Sequence, residues 1–328
     1  MQGFNNHWKD FPDYIIGITK EIWEDRGIGT LNHYYSEDIP VRSPMGISVG
    51  NQPVMAATMA TLHEFPDRTL FGEDVIWSGT PETAMLSSHR IISTATHSGD
   101  GVFGKATGKK LTYRIIADCA AKDNTIFDEW LIRDYGGIVR QLGHSPRKFA
   151  KKLIKAEGGP ENCKKPFTPA IDVKGEYQSN GNDNGWGAKY AATLSRMMAN
   201  EFDIIPDHYD RAVLSEYAGS QSGISHGSVC DFWMGLRSSF PNAEFKIHHQ
   251  IGLDGDMLSP RAAIRWSLDG KHDGWGTFGK PTGADVHVMG MCHTEYGPYG
   301  KDGASIRREY ALYDEVAIWK QILMQSNG

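Results

Sequence analysis

The sequence predicts an α+β protein built from two tandem copies of one domain. Three observations carry that prediction: a repeat at constant spacing, helical periodicity at the head of each copy, and consecutive strand-like runs behind it. The repeat is sharpest where His97-Ser-Gly-Asp-Gly-Val-Phe103-Gly104-Lys105-Ala-Thr107-Gly108 meets His272-Asp-Gly-Trp-Gly-Thr-Phe278-Gly279-Lys280-Pro-Thr282-Gly283, 175 residues later. The same spacing relates Phe65-Pro66-Asp67 to Phe240-Pro241-Asn242, Arg90 to Arg265 and His33-Tyr34 to His208-Tyr209. Glu129-Trp130 with Asp134 answers to Glu309-Tyr310 with Asp314 at a spacing of 180, which implies a five-residue insertion. Several segments sharing one spacing mark a tandem duplication.

In the first copy, Asp13 can cap a helix carrying Ile15, Ile18 and Ile22 at helical spacing, which Gly27 and Gly29 stop. A second helix carries Met55, Met59 and Leu62, and its counterpart carries Val229, Phe232, Trp233, Leu236 and Phe240. Strands are expected around Leu86–Thr96, Leu111–Ala120 and Ile126–Ile132. Helices followed by strands with no helices between them argue for a curved antiparallel sheet packed on those helices, against a doubly wound fold. Between the copies, a basic, helix-compatible run from Arg147 to Lys155 gives way to a stretch rich in Gly, Asn, Pro and Asp, which reads as a linker. The expected bounds are 1–145 for the first domain, 146–186 for the linker and 187–328 for the second, more degenerate domain.

Composition narrows the function. With 34 Lys+Arg against 40 Asp+Glu, the net charge is −6, and no basic stripe is present to attract nucleic acid or anionic membrane. No apolar run approaches the roughly 18 residues of a membrane span, and the N-terminus lacks a signal-peptide pattern, so a cytoplasmic location is the expectation. The four cysteines are scattered without CxxC pairs and read as reduced thiols. Histidines lack metal-ligand spacing and no nucleotide-binding motif occurs, so neither metal nor cofactor is expected. Gly46-Ile-Ser48-Val-Gly50 and Gly223-Ile-Ser225-His-Gly227 both fit a nucleophile-elbow pattern. No βαβ series surrounds them, however, and they read as loops leading into the second helix, with Asn51 or Ser228 near its start.

The run Asp13-Tyr14-Ile-Ile-Gly-Ile-Thr-Lys-Glu-Ile-Trp23, together with Tyr34-Tyr35-Ser-Glu-Asp38, Phe65-Pro66-Asp67, Asp74-Val-Ile-Trp77, Ser88-His89-Arg90, the His97 to Gly108 loop and Glu129-Trp130-Leu-Ile-Arg-Asp134, resembles SnoaL-like polyketide cyclases of the nuclear-transport-factor-2-like superfamily. The resemblance covers almost all of the first copy and, more weakly, the second. It implies conical domains whose helices close an apolar pocket, cofactor-free chemistry, and a tendency to dimerise that two fused copies satisfy as an internal pseudo-dimer, with pairing of whole chains left open. That superfamily hosts many reactions and also non-catalytic modules.

The segment Ile126 to Asp134 carries the candidate chemistry. As a strand it puts Asp128, Trp130, Ile132 and Asp134 on one face and Glu129, Leu131 and Arg133 on the other. If the Trp/Ile face lines the pocket, Asp134 is a partly desolvated carboxylate suited to proton transfer, and it matches the pocket aspartate that SnoaL-like cyclases use as general acid/base. The competing reading makes it a turn cap before Tyr135-Gly136-Gly137, and a different register hands the role to Asp118 or Asp128. His97 is a second proton carrier or the fixing point of its turn. Arg90, inside an uncharged strand, needs a substrate anion or a structural carboxylate. Trp130, Trp77, His89, Asp74 and Phe103 complete the expected substrate site, with Asp314, His272, Arg265 and Tyr310 as its second-copy equivalents. Copy two replaces Asp67 by Asn242 and Asp74 by His249, so its pocket is chemically different. The expected activity is acid/base catalysis on a small or medium carbonyl compound, by aldol-type cyclisation, isomerisation or elimination. Hydrolysis of an ester, lactone or epoxide and non-catalytic binding or assembly are the alternatives.

Overall fold

A computed structural model describes residues 1–255, 257–301 and 303–326; the expected end of the second domain at 328 lies outside them. The first unit runs α1 (Phe11–Thr19), α2 (Leu31–Tyr34), β1 (Pro40–Ser43), β2 (Gly46–Val49), α3 (Asn51–Glu64), β3 (Phe71–Thr80), β4 (Ala84–Thr96), β5 (Lys110–Lys122), β6 (Thr125–Arg133), α4 (Tyr135–Gln141) and α5 (Pro146–Ala156). The second repeats the order as α6 (Gly185–Met198), α7 (Ile205–His208), β7 (Tyr209–Tyr217), β8 (Gln221–Ile224), α8 (Ser225–Ser239), β9 (Glu244–Leu253), β10 (Arg261–Lys271), β11 (Asp285–Gly297), β12 (Ser305–Tyr313) and α9 (Glu315–Gln325).

Each unit holds one six-stranded sheet, ordered β2-β1-β6-β5-β4-β3 in the first and β8-β7-β12-β11-β10-β9 in the second. The α+β class is as expected, but the sheets are mixed. Strand β1 pairs parallel to β6, and β7 parallel to β12, because the chain enters each sheet from the leading helices and only later returns through four consecutive antiparallel strands. Asp10, not Asp13, caps α1, its side chain accepting from the Asp13 amide. The repeated glycine turns are the same structure twice. In each, a histidine carbonyl accepts from the Thr and Gly amides of the Thr-Gly pair (Thr107-Gly108 and Thr282-Gly283), and the histidine Nδ1 lies 3.1 Å from the threonine hydroxyl.

The segment read as a linker is partly core. Ser145 caps α5, whose Phe149, Ala150, Leu153 and Ile154 are buried, with Phe149 stacked on Phe103. Farther along, Asp172 pairs with Arg42, and the Tyr177 hydroxyl lies 2.9 Å from His249 Nε2.

The two sheets meet through the faces that carry the even-numbered residues of β4, β5 and β6. Ile116, Ile132, Met289, Met291 and Leu312 form an apolar seam, and pseudo-twofold cation–π pairs flank it: Arg90 stacks 3.7 Å from the Tyr310 ring, and Arg265 stacks 3.5 Å from the Trp130 ring. Ser88 Oγ lies 2.8 Å from His293 Nε2, Arg114 pairs with Glu216, and Arg261 pairs with Asp74. The halves form an internal pseudo-dimer. No described helix is long and apolar enough to cross a membrane, and the four cysteines are free.

Candidate active site

The face of the first sheet turned away from this seam lines a cavity of about 290 Å³ between β4–β6 and helices α1 and α3. Strand parity decides its chemistry. His89, Ala117 and Leu131 stand in cross-strand register on β4, β5 and β6, so they share a face with Glu129 and Arg133. That face is the cavity wall.

The helices opposite contribute Ile15, Ile18 and Thr19 from α1 and smaller side chains from α3. Ala57, Thr58 and Thr61 of α3 point inward, whereas Met59, expected in the core stripe, is exposed and Met55 only packs at the edge. Beyond α1, the helix widens into a π-helical turn over Lys20–Glu24 that presents Trp23 to the cavity, its indole N–H donating to Thr58 Oγ1 at 3.1 Å.

Glu129 is the cavity's carboxylate. It is 6% exposed and its Oε2 has no protein partner. Burial pushes its pKa up to about 7, against the restraining effects of the Tyr35 hydroxyl and the Arg133 charge. His89, 2% exposed and with Nε2 unpartnered, is held down to about 3 by burial and by the neighbouring Arg90, and so stays neutral at physiological pH. Arg68, Arg133 and Lys164 supply positive charge to the same walls. Asp314 also lines the cavity, donated by the second unit, and burial pushes it up to about 8.

The expected site is thereby corrected. Asp134 lies on the seam face, where it caps α4 through the Gly137 amide and accepts from the Gly219 and Ser220 amides of the other unit. Asp118 sits 3.5 Å from Arg265, and Asp128 is paired with Arg42. Trp130 lies beneath Arg265 at the seam, Arg90 is held by Glu73 and Glu295, and Asp74 by Arg261. His97 is buried in its turn with Glu64 Oε1 3.2 Å away, Phe103 is core, and Trp77 packs on Phe11. Of the expected first-copy residues, only His89 reaches the cavity. The sheet is buried on both faces, and its bulkier Trp/Ile face meets the partner unit, not the cavity.

In the second unit the same space is filled. Relative to Ala57, Thr58, Thr61 and Ile91, the repeat spacing places Phe232, Trp233, Leu236 and Trp266, all of them core. Tyr217, on the strand that corresponds to β1, reaches into the interior as well. Gly290, opposite Tyr313 on β12, makes room for Trp266: a Cβ there would come within 2.1 Å of the indole. Glu309, the counterpart of Glu129, accepts from the Tyr190, Tyr209 and Tyr217 hydroxyls and from Trp233 Nε1. His272 repeats the turn role, and Arg265 and Tyr310 belong to the seam.

Among the described residues, no group of three or more His, Cys, Asp or Glu side chains is arranged to hold a metal ion.

No protein-family model and no curated protein sequence matches the chain. Solved structures do. IdmH from Streptomyces antibioticus, a proposed polyketide cyclase, is 20% identical, with 40% of this chain and 97% of that chain covered and a TM-score of 0.35. A SnoaL-like polyketide cyclase from Agrobacterium tumefaciens is 20% identical over 42% of this chain and 98% of that one, with a TM-score of 0.32. A proposed SnoaL-like polyketide cyclase from Jannaschia sp. is 17% identical over 43% and 96%, with a TM-score of 0.35.

Proposed function

We propose that the first unit is a cofactor-free general acid/base catalyst acting on a small carbonyl compound, and that Glu129 moves the proton. The observation that carries this reading is a buried carboxylate, raised to about 7, with one oxygen unpartnered, on the wall of a cavity. Such a group is partly ionised near neutral pH, so its carboxylate can take the proton next to a carbonyl and return it to carbon or to a leaving group. Neutral His89 donates a ring N–H to the enolate oxygen as it forms. An imidazole kept neutral by burial serves as a hydrogen-bond donor here and not as an acid. Carbon–carbon bond formation, isomerisation and elimination all proceed from that enolate.

The second unit is read as a non-catalytic partner, because Glu309 spends both oxygens on four internal donors and aromatic side chains occupy the space. Its part in the site is Asp314.

Exchange of the α-protons of 2-tetralone in deuterated buffer, followed by proton NMR, tests this assignment. The whole chain should accelerate exchange, Glu129→Gln should lower that rate by about 10²-fold or more, and Glu309→Gln should leave it unchanged. A rate indifferent to Glu129→Gln removes this residue from the mechanism.

A further inference from the structure

The cavity holds more positive charge than its own walls satisfy. Arg68 is 3% exposed, and neither its Nε nor its Nη1 has a partner; Arg133 Nε is also unpartnered. The two guanidinium groups are close enough to oppose each other's charge. Phenols are among their nearest partners: Arg133 Nη1 donates to the Tyr135 hydroxyl at 3.2 Å, and Tyr113 and Tyr135 both face Arg68. The carboxyls within reach are Glu129 and Asp314, both of which burial pushes toward the neutral form. A buried guanidinium without an anion is costly, and the fold does not require these two. At the corresponding positions the second unit carries Ala243 and Tyr313, and that unit has filled its cavity. The arginines occur where the open space occurs.

We propose that Arg68 and Arg133 form an anion subsite that binds a carboxylate group on the substrate. The proposal rests on the reading of this cavity as the substrate site. Planar guanidinium forks match a planar carboxylate. The apolar remainder, including Ile15, Ile18, Leu70, Ile91 and Ile115, would hold a hydrocarbon body. The inferred substrate class is therefore an apolar keto acid or other carboxylate-bearing carbonyl compound.

Binding of 2-naphthoate, 2-naphthamide and 2-naphthyl phosphate to the whole chain, read by calorimetry, tests it. Naphthoate should bind about tenfold or more tighter than the amide. Arg68→Met and Arg133→Met should each erase that preference, while Arg68→Lys keeps it. Arg68→Met should also melt no lower than the wild type, since it removes a buried charge with two nitrogens unpartnered; a fall in melting temperature with the preference intact would make Arg68 structural. Equal affinity for acid and amide overturns the subsite but leaves the cavity as a ligand site. Tighter binding of the phosphate overturns the carboxylate assignment. Failure of all three to bind overturns both the subsite and the proposed site itself.

Discussion

The two units share topology and differ in what lies between sheet and helices. In the first, Ala57, Thr58, Thr61 and Ile91 leave a cavity, and Glu129 stands in it with an oxygen free. In the second, Phe232, Trp233, Leu236 and Trp266 close the space, and Glu309 is a structural acceptor for three tyrosines and an indole. The same carboxylate at the same place in the fold thus either keeps an unpartnered oxygen or is fully engaged, depending on how many donors surround it. Duplication of a scaffold therefore says little about duplication of its chemistry. One copy keeps a costly, open site while the other supplies packing, a seam and one side chain.

That contrast can be broken most sharply in the second core. Trp233→Ala should cost about 3–5 kcal/mol by urea unfolding, since it removes a fully buried indole and the Nε1 donor to Glu309. The corresponding Thr58→Ala in the first unit, beside existing empty space, should cost about 1 kcal/mol or less. Equal costs would mean that the cavity is not the open space described.

Glu129→Gln and Glu309→Gln should move stability in opposite directions. Glu309→Gln places an amide N–H₂ among hydroxyl and indole donors and should destabilise by about 2 kcal/mol. For Glu129, the folded pKa near 7 lies above the ordinary carboxylate value, so the folded state holds the proton more tightly than the unfolded state. Its contribution is complete at acid pH and is lost as pH rises through 7. Glu129→Gln should therefore match the wild type near pH 4 and exceed it by at most about 3 kcal/mol at pH 8, measured as paired melting curves. The depressed His89 has the opposite slope, its neutral burial weakening the fold as pH falls below the ordinary histidine value, but it is common to both proteins and cancels in the difference.

The smallest effects are expected at the two helix caps. Asp134 uses both oxygens, accepting from Gly137, Gly219 and Ser220 amides, so Asp134→Asn sets an amide N–H₂ against one of those donors and should cost about 1–2 kcal/mol. Asp314 caps α9 through Oδ1 alone, which an asparagine reproduces, and Asp314→Asn should cost about 0.5 kcal/mol or less. Loss of 2-tetralone exchange in Asp134→Asn without loss of stability would return the proton-transfer role to that residue.

The sequence by itself determined the duplication, the order of helices and strands, the three long strands of the first sheet, and the repeated His-to-Thr-Gly turns. These follow from local chemistry: strand alternation, helical periodicity, and glycine at positive φ in Gly104 and Gly279. It also separated Glu129, Leu131 and Arg133 from Asp128, Trp130 and Asp134 as opposite faces. Which face meets the cavity was decided by tertiary structure alone, because in a sheet covered on both sides the alternation no longer distinguishes inside from outside. The contrast of Ala57, Thr58 and Thr61 with Phe232, Trp233 and Leu236 was a readable sign of an emptied first copy. That the space so opened holds Glu129, His89, Arg68 and Arg133 depends on helix α3 meeting the sheet across it, a long-range packing outcome that local pattern does not encode.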